Sequence, residues 1–175
     1  LAQTLDCGQS FRWVENEDGY FTGVVKDIVA NVSYNNDTLT IESDSDLDKD
    51  MWSNYFDLEL DYGKIKEDLS KMHPVLSEAS AYAGGIRILN QEPFEALITF
   101  IISQNNNISR IKGIVERLCE NFGEKIDDTH YTFPTAEKLS KLSPDDLAPI
   151  RAGFRHRYII DAAQKVASYE INLEN

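Results

Sequence analysis

The chain has 175 residues, 42% of them hydrophobic and 27% charged, which fits a globular protein that can bury a core without metal or disulfide staples. No run of about 18 apolar residues occurs, which excludes a membrane-spanning helix; the longest apolar-rich stretch, Phe94 to Ile102, is short and carries Glu95. The net charge of −13 excludes a broadly basic surface, so any contact with nucleic acid must use a local cluster of cations.

Leu1-Ala2-Gln3-Thr4 has no basic start and no apolar stretch behind it, so no export signal is read and an intracellular protein is expected. Cys7 and Cys119 lie far apart and are expected as free thiols. There is no CxxC, HExxH or histidine cluster, so neither a metal nor a cofactor is expected.

The first 45 residues read as strands. Ser10–Val14 is short and aromatic, Tyr20–Val25 and Ile28–Tyr34 are rich in β-branched and aromatic residues, and Asp37–Glu42 alternates. Turn formers separate them at Asn16-Glu17-Asp18-Gly19, Lys26-Asp27 and Asn35-Asn36-Asp37. Loops this short predict an antiparallel meander.

Helical spacing then takes over. Asp44-Ser45-Asp46 can cap a helix over Asp48–Phe56, with Met51, Trp52, Tyr55 and Phe56 on one face. Tyr62–Met72 follows, with Ile65, Leu69 and Met72 in phase. Pro74 opens a third helix and Gly84-Gly85 stops it. Phe94–Ser103 is apolar on most sides, which predicts a central buried helix. Ile108–Phe122 is amphipathic, with Ile111, Ile114, Val115 and Leu118 inward, and Gly123 ends it. Residues 124–133 read as loop. Pro134–Leu142 is expected as helix with Thr135 near its cap, Ser143-Pro144-Asp145-Asp146 as another helix start, and Arg157–Glu170 as the last helix. Strands first and helices after predict an α+β fold, not an alternating parallel sheet.

Three clusters invite chemistry. Ser103-Gln104-Asn105-Asn106-Asn107-Ile108-Ser109-Arg110 places three amides between two apolar helices. One reading is a helix–helix turn with Asn107 as N-cap. The other is a set of amide donors and acceptors presented to base edges, with Arg110 one turn after Asn106 and facing the same way. In the second cluster, Arg151-Ala152-Gly153-Phe154-Arg155-His156-Arg157-Tyr158, an aromatic beside a glycine can act as a wedge in a base stack. Its flanking arginines can hold phosphate or an orphaned base. The competing reading is a solvated helix start with Phe154 and Tyr158 packed inward and His156 on the surface. The third, Gly8-Gln9-Ser10-Phe11-Arg12-Trp13, reads as a turn and an edge strand in which Gly8 permits close backbone approach. No carboxylate pair stands out, and there is no GxSxG, Walker or GxGxxG motif.

Taken in order, Gly8 to Trp13, Tyr55-Phe56-Asp57-Leu58, Gly85 to Glu95, Ser103 to Arg110 and Gly153 to Tyr158 resemble the 8-oxoguanine DNA glycosylases of the helix–hairpin–helix superfamily, along essentially the whole chain. The resemblance implies an antiparallel sheet domain, here residues 1–90 with its following helices, beside an incomplete α-helical domain, residues 91–175. It implies base-excision repair of 8-oxoguanine opposite cytosine in double-stranded DNA, with AP lyase activity, by a monomer. By that resemblance Asn105, Arg110 and Arg155 hydrogen-bond the cytosine left behind when the lesion is flipped out, and Asn106 shapes that loop or fills the gap. Phe154 is the wedge. The Gly8 carbonyl accepts from the N7–H that only oxidised guanine has, and Phe100 lines the base pocket. The alternatives are an alkylated-base glycosylase, for which this Asn triplet with Arg110 is not expected, and a non-catalytic DNA-damage-binding module.

The family's Leu-Pro-Gly-Val-Gly hairpin, its nucleophilic Lys and its catalytic Asp fall beyond Asn175 in this alignment of motifs. In the family the Lys amine attacks C1′ and forms a Schiff base, while the Asp stabilises the developing positive charge. Residues 1–175 alone are therefore expected to be inactive and to give no adduct with 8-oxoguanine DNA under borohydride. A covalent adduct in that trapping assay contradicts the expectation.

Overall fold

A computed structural model describes residues 1–46 and 48–173. A single helical turn, α1 (Ala2–Leu5), precedes four strands, β1 (Trp13–Glu15), β2 (Phe21–Val25), β3 (Ile28–Asn35) and β4 (Thr38–Glu42). They form one antiparallel sheet in sequence order, the expected meander. The turns explain why. Val25 pairs with Ile28 and Asn35 with Thr38, so each loop has two residues. Asn36 and Asp37 both take positive φ, as a primed hairpin turn requires. The first strand starts at Trp13, later than Ser10, because Ser10 to Arg12 are drawn toward the helices.

Across the sheet, Trp13 pairs with Gly23 and Gly23 with Ala30. A Cβ at Gly23 would lie 2.3 Å from the Trp13 ring, so the large residue at one position requires the small ones beside it. The helix α2 (Lys49–Tyr55) closes this face. Asp48, not the Asp44–Asp46 run, caps it, accepting from the N–H groups of Asp50 and Met51. Trp52, Tyr55 and Phe56 are buried with Trp13, and the Trp13 indole donates to the Tyr55 hydroxyl at 2.9 Å. Burial pushes that phenol up to about 12.

The hairpin of α3 (Tyr62–Met72) and α4 (Pro74–Tyr82) has the predicted bounds but no buried residue. Met72 is exposed, so the apolar stripe of α3 is only half covered. The second core is helical: α5 (Pro93–Ser103), α6 (Ile108–Phe122), α7 (Ala136–Leu139) and α8 (Arg155–Ala167). In α6, Ile111, Ile114, Val115 and Leu118 are buried as predicted.

Three expectations need correction. First, α5 is not buried all round: Ile98, Thr99 and Ile102 are, but Phe100 is 65% exposed. Second, the helix expected over Pro134–Leu142 is the single turn α7, capped by Thr135. Third, Ser143-Pro144-Asp145-Asp146 starts no α-helix. Ser143 and Asp146 bond each other reciprocally, Ser143 N–H to Asp146 at 2.8 Å and Asp146 N–H to Ser143 at 3.4 Å. The chain then makes only a 3-10 turn, Ala148–Ile150, because a residue in the left-handed region, Arg151 (φ 58°), follows at once. The last helix begins two residues before Arg157.

Residues 9–13 run between the two cores and are gripped from the helical side. Phe11 is buried in the helical core. The Gln91 amide donates to the Gln9 carbonyl at 2.6 Å. The Lys112 ammonium donates to the Trp13 carbonyl at 2.8 Å and pairs with Asp6 at 2.7 Å. Arg12, with 7% of its side chain exposed, lies 3.6 Å from Glu95 and also donates to the Tyr131 carbonyl. At 3.6 Å the pair is ionic without being a hydrogen bond, and Arg12 Nη1 has no other partner.

Burial raises the Glu95 carboxyl to about 7 despite the attraction of Arg12. Between the ordinary value near 4.5 and about 7, the folded chain holds a proton that the unfolded chain has released. Stability therefore falls as pH rises through that window. In Glu95→Gln this contribution is absent, so the melting temperature of the wild type should decline relative to the variant between pH 5 and pH 7. Parallel melting curves across that range would contradict the assignment.

Candidate nucleic-acid interface

The α5–α6 turn is built by its own amides. Asn107 is the N-cap of α6, its side chain accepting from the Arg110 N–H at 2.9 Å. Asn106 closes the end of α5: its amide donates to the Ile102 carbonyl at 3.1 Å and accepts from the Asn107 N–H at 3.1 Å. Two of the three asparagines thus satisfy helix ends, which is the local reading of the triplet. Asn105 differs. It sits in the left-handed region at φ 49°, where Asn is tolerated, and is exposed. Among the described residues, neither its side-chain amide nor the exposed guanidinium of Arg110 has a partner. Asn106 and Arg110 do not act as a matched pair, because the amide of Asn106 is turned back to Ile102.

The second turn lies against the first. Arg155 is 5% exposed, and its guanidinium joins the two. Nη2 donates to the Gln104 carbonyl and, at 3.4 Å, to that of Asn105, while Nη1 reaches the Ala152 carbonyl at 3.4 Å. Its Nε has no partner. Phe154 is 69% exposed, so the inward-packed alternative does not hold for it. Its ring is covered on one face by the Arg155 guanidinium, 4.7 Å from the centroid, and meets Tyr158 edge-on at 6.1 Å. His156, expected on the surface, is half-buried. Its Nε2 accepts from the Ala152 N–H at 3.1 Å, so the imidazole is neutral there, and burial lowers its pKa.

The Gly8 turn reaches the same region. Gly8 has φ 92°, which favours glycine, and a Cβ there would lie 3.8 Å from Ile108 at the start of α6. Gln9 holds this turn. Its Nε2 donates to the carbonyls of Thr4 (2.9 Å) and Arg87 (2.8 Å), and its Oε1 accepts from the Leu89 N–H at 3.0 Å. The side chain behaves as one more strand residue along segment 87–89. Sequence reasoning gave Gln9 no role; its one signal was an amide beside a glycine at the head of the Ser10-Phe11-Arg12-Trp13 segment. Phe100 is exposed on α5, one turn before the asparagines. Gly8, Asn105, Asn106, Arg110, Phe154 and Arg155 are thus linked through Ile108 and Arg155, from three chain segments.

Comparison with known proteins decides what this assembly belongs to. The family model of the 8-oxoguanine DNA glycosylase N-terminal domain matches residues 1–97, and that of the HhH-GPD superfamily base excision DNA repair proteins matches residues 98–173. The chain belongs to the 8-oxoguanine DNA glycosylase family. It is 33% identical to the N-glycosylase/DNA lyase of Saccharomyces cerevisiae over 96% of its own length and 50% of the relative's. Among solved structures, it superposes on MBOgg1, determined with a low-affinity DNA ligand, with a TM-score of 0.92 and 49% identity, covering 99% of this chain and 61% of the other. The Clostridium acetobutylicum 8-oxoguanine glycosylase/lyase in its apo form gives a TM-score of 0.90 and 37% identity, covering 99% and 62%. The chain spans about half the length of the curated relative and about three-fifths of these structures. No helix among the described residues is long and apolar enough to cross a membrane.

The linking role of Arg155 is directly testable. Arg155→Ala removes the donors that join residues 104–105 to residue 152 and should cost about 1–3 kcal/mol of stability. Amide exchange should also quicken at residues 105–108. Unchanged exchange there would show that the turns hold without it.

Proposed function

We propose that this chain carries the damage-recognition part of an enzyme that excises 8-oxoguanine opposite cytosine from double-stranded DNA, with associated strand cleavage in the whole protein. The observation that supports this most is the unpartnered pair, Asn105 amide and Arg110 guanidinium, exposed at one turn beside the exposed ring of Phe154. Cytosine offers an amino donor and two acceptors on its pairing edge. One amide and one or two guanidinium groups satisfy all three, while an adenine left in the same place has a C2–H in place of the cytosine O2 and leaves a donor unpaired. Asn105 and Arg110 are free to do this as they stand. Arg155 contributes either through the donors it now directs at Gln104 and Asn105 or by holding Asn105 in place.

Phe154 would act as a wedge in the base step beside the flipped base, at a few kcal/mol of unstacking, and Asn106 would shape the loop or fill the gap. The Gly8 carbonyl, held by the Gln9 clamp, would test for the N7–H of the lesion. The Clostridium acetobutylicum relative has been solved with dsDNA containing cytosine opposite 8-oxoG, which is the substrate class proposed here. On this reading the protein works inside the cell and as a monomer.

Binding of fluorescent duplexes tests the proposal. The wild type should prefer 8-oxoguanine paired with cytosine to the same lesion paired with adenine. Asn105→Ala and Arg110→Ala should each reduce that preference by roughly 5- to 100-fold, and Arg155→Ala should weaken it too. A preference that survives all three changes assigns the cytosine to other residues.

A further inference from the structure

Seven non-glycine residues take positive φ in the described chain. Lys26, Asn36 and Asp37 do so in two-residue hairpin loops, where the strand pairing demands it. Arg151 (φ 58°, ψ 35°) is the left-handed cap of the 3-10 turn, its N–H donating to the Ala148 carbonyl at 3.2 Å. The turn explains the conformation but not the residue. Glycine fits this position without strain, and a side chain bearing a Cβ does not.

Among the described residues nothing uses the guanidinium of Arg151. The residue is exposed, and its guanidinium makes no hydrogen bond or ion pair with any of them. Its root, by contrast, is fixed on both sides. The Ile150 carbonyl accepts from Arg117 Nε at 3.1 Å, the Ala152 N–H donates to His156 at 3.1 Å, and the Ala152 carbonyl accepts from Arg155. A fixed root with a free cationic tip stands three residues before the exposed Phe154. Arg157, also exposed, stands three residues after it. In a chain of net charge −13, unpaired cations on both sides of an exposed aromatic are an anion-binding arrangement.

We propose that Arg151 is a DNA-backbone contact, a guanidinium that grips a phosphodiester beside the step entered by Phe154 and is retained there against the backbone preference for glycine. The proposal rests on the DNA-interface reading above and adds to it a contact that positions without reading sequence. Phosphate contacts fix register on the duplex and are indifferent to the base. Arg151 therefore differs from Asn105 and Arg110 in a measurable way.

The experiment uses residues 1–175 with two substitutions, R151G and R151K, and two duplexes, one with 8-oxoguanine opposite cytosine and one undamaged. R151G should melt at or above the wild-type temperature. It should bind both duplexes more weakly by the same factor, roughly 3- to 10-fold at low salt, with the slope of log K against log salt reduced by about one. R151K keeps the charge and should keep most of the affinity. Wild-type affinity and salt slope in R151G overturn the proposal, as does a loss confined to the damaged duplex, which makes Arg151 a base reader. A lower melting temperature in R151G contradicts the claim that the backbone prefers glycine here. If the wild type itself shows no salt-dependent binding to either duplex, the interface reading fails, and this inference with it.

Discussion

The proposed recognition surface depends on one buried guanidinium. Arg155 is on the first turn of α8, but its donors reach out of that helix to the carbonyls of Gln104, Asn105 and Ala152. These carbonyls belong to turns some fifty residues apart in sequence. Each is an orphan of the kind left at a helix end or a tight bend. A single planar donor set satisfies them together, and so fixes the distance between the asparagine turn and the aromatic turn. The guanidinium face then covers the ring of Phe154. A lysine could satisfy one or two of these carbonyls but could not also present a flat face to the ring. The arrangement is not fully balanced, since Nε stays buried without a partner. An unsatisfied donor at this position weakens the arrangement and lowers the cost of redirecting the side chain toward a new acceptor.

The sheet and helical halves matter to this surface through a second buried cation. Arg12 carries the strand-entry segment into the helical core, where Glu95 and the Tyr131 carbonyl receive it. The Gly8 turn begins four residues earlier. Its position relative to Ile108 is therefore set by the Arg12 contact on one side and by the Gln9 amide on the other. Both anchors are polar groups directed at backbone carbonyls or a carboxylate. A purely apolar junction would hold the halves together without fixing their register as tightly. The loop that would approach a base thus rests on directional bonds made outside it.

Much of the fold was legible because local chemistry and global fold agree. The meander followed from two-residue turn sequences, and α6 from the spacing of Ile111, Ile114, Val115 and Leu118 with Asn107 ahead of them. The misreadings have a common origin. Ser143 and Asp146 form a reciprocal cap, yet no α-helix follows, because the left-handed Arg151 comes too soon and tertiary contacts fix the turn. Phe100 shares an apolar helix with buried neighbours but faces out, and no periodicity marks which side of a mostly apolar helix remains open. In the site, the asparagine triplet divides between local and exposed roles. Asn106 and Asn107 close helix ends, and only Asn105 remains free. Local spacing could not divide these roles, because the division depends on where Ile102 and Arg155 sit.

The net charge sharpens what this surface has to accomplish. At physiological salt, exposed charges more than about 8 Å apart are largely screened, so carboxylates farther than that from Arg151 or Arg157 would not be felt by a phosphate held there as proposed. Those that come within that distance of the approaching duplex oppose a polyanion and reduce electrostatic steering. A broadly basic protein holds any duplex strongly and gains specificity as a small difference between large affinities. On the proposed reading, non-specific attraction rests on a few cations around one exposed aromatic. A larger share of the binding free energy then has to come from the wedge and the base-edge contacts, which exist only where a base leaves the stack. On the proposed reading, few cations placed beside the residues that face the bases favour selectivity over overall affinity for undamaged DNA.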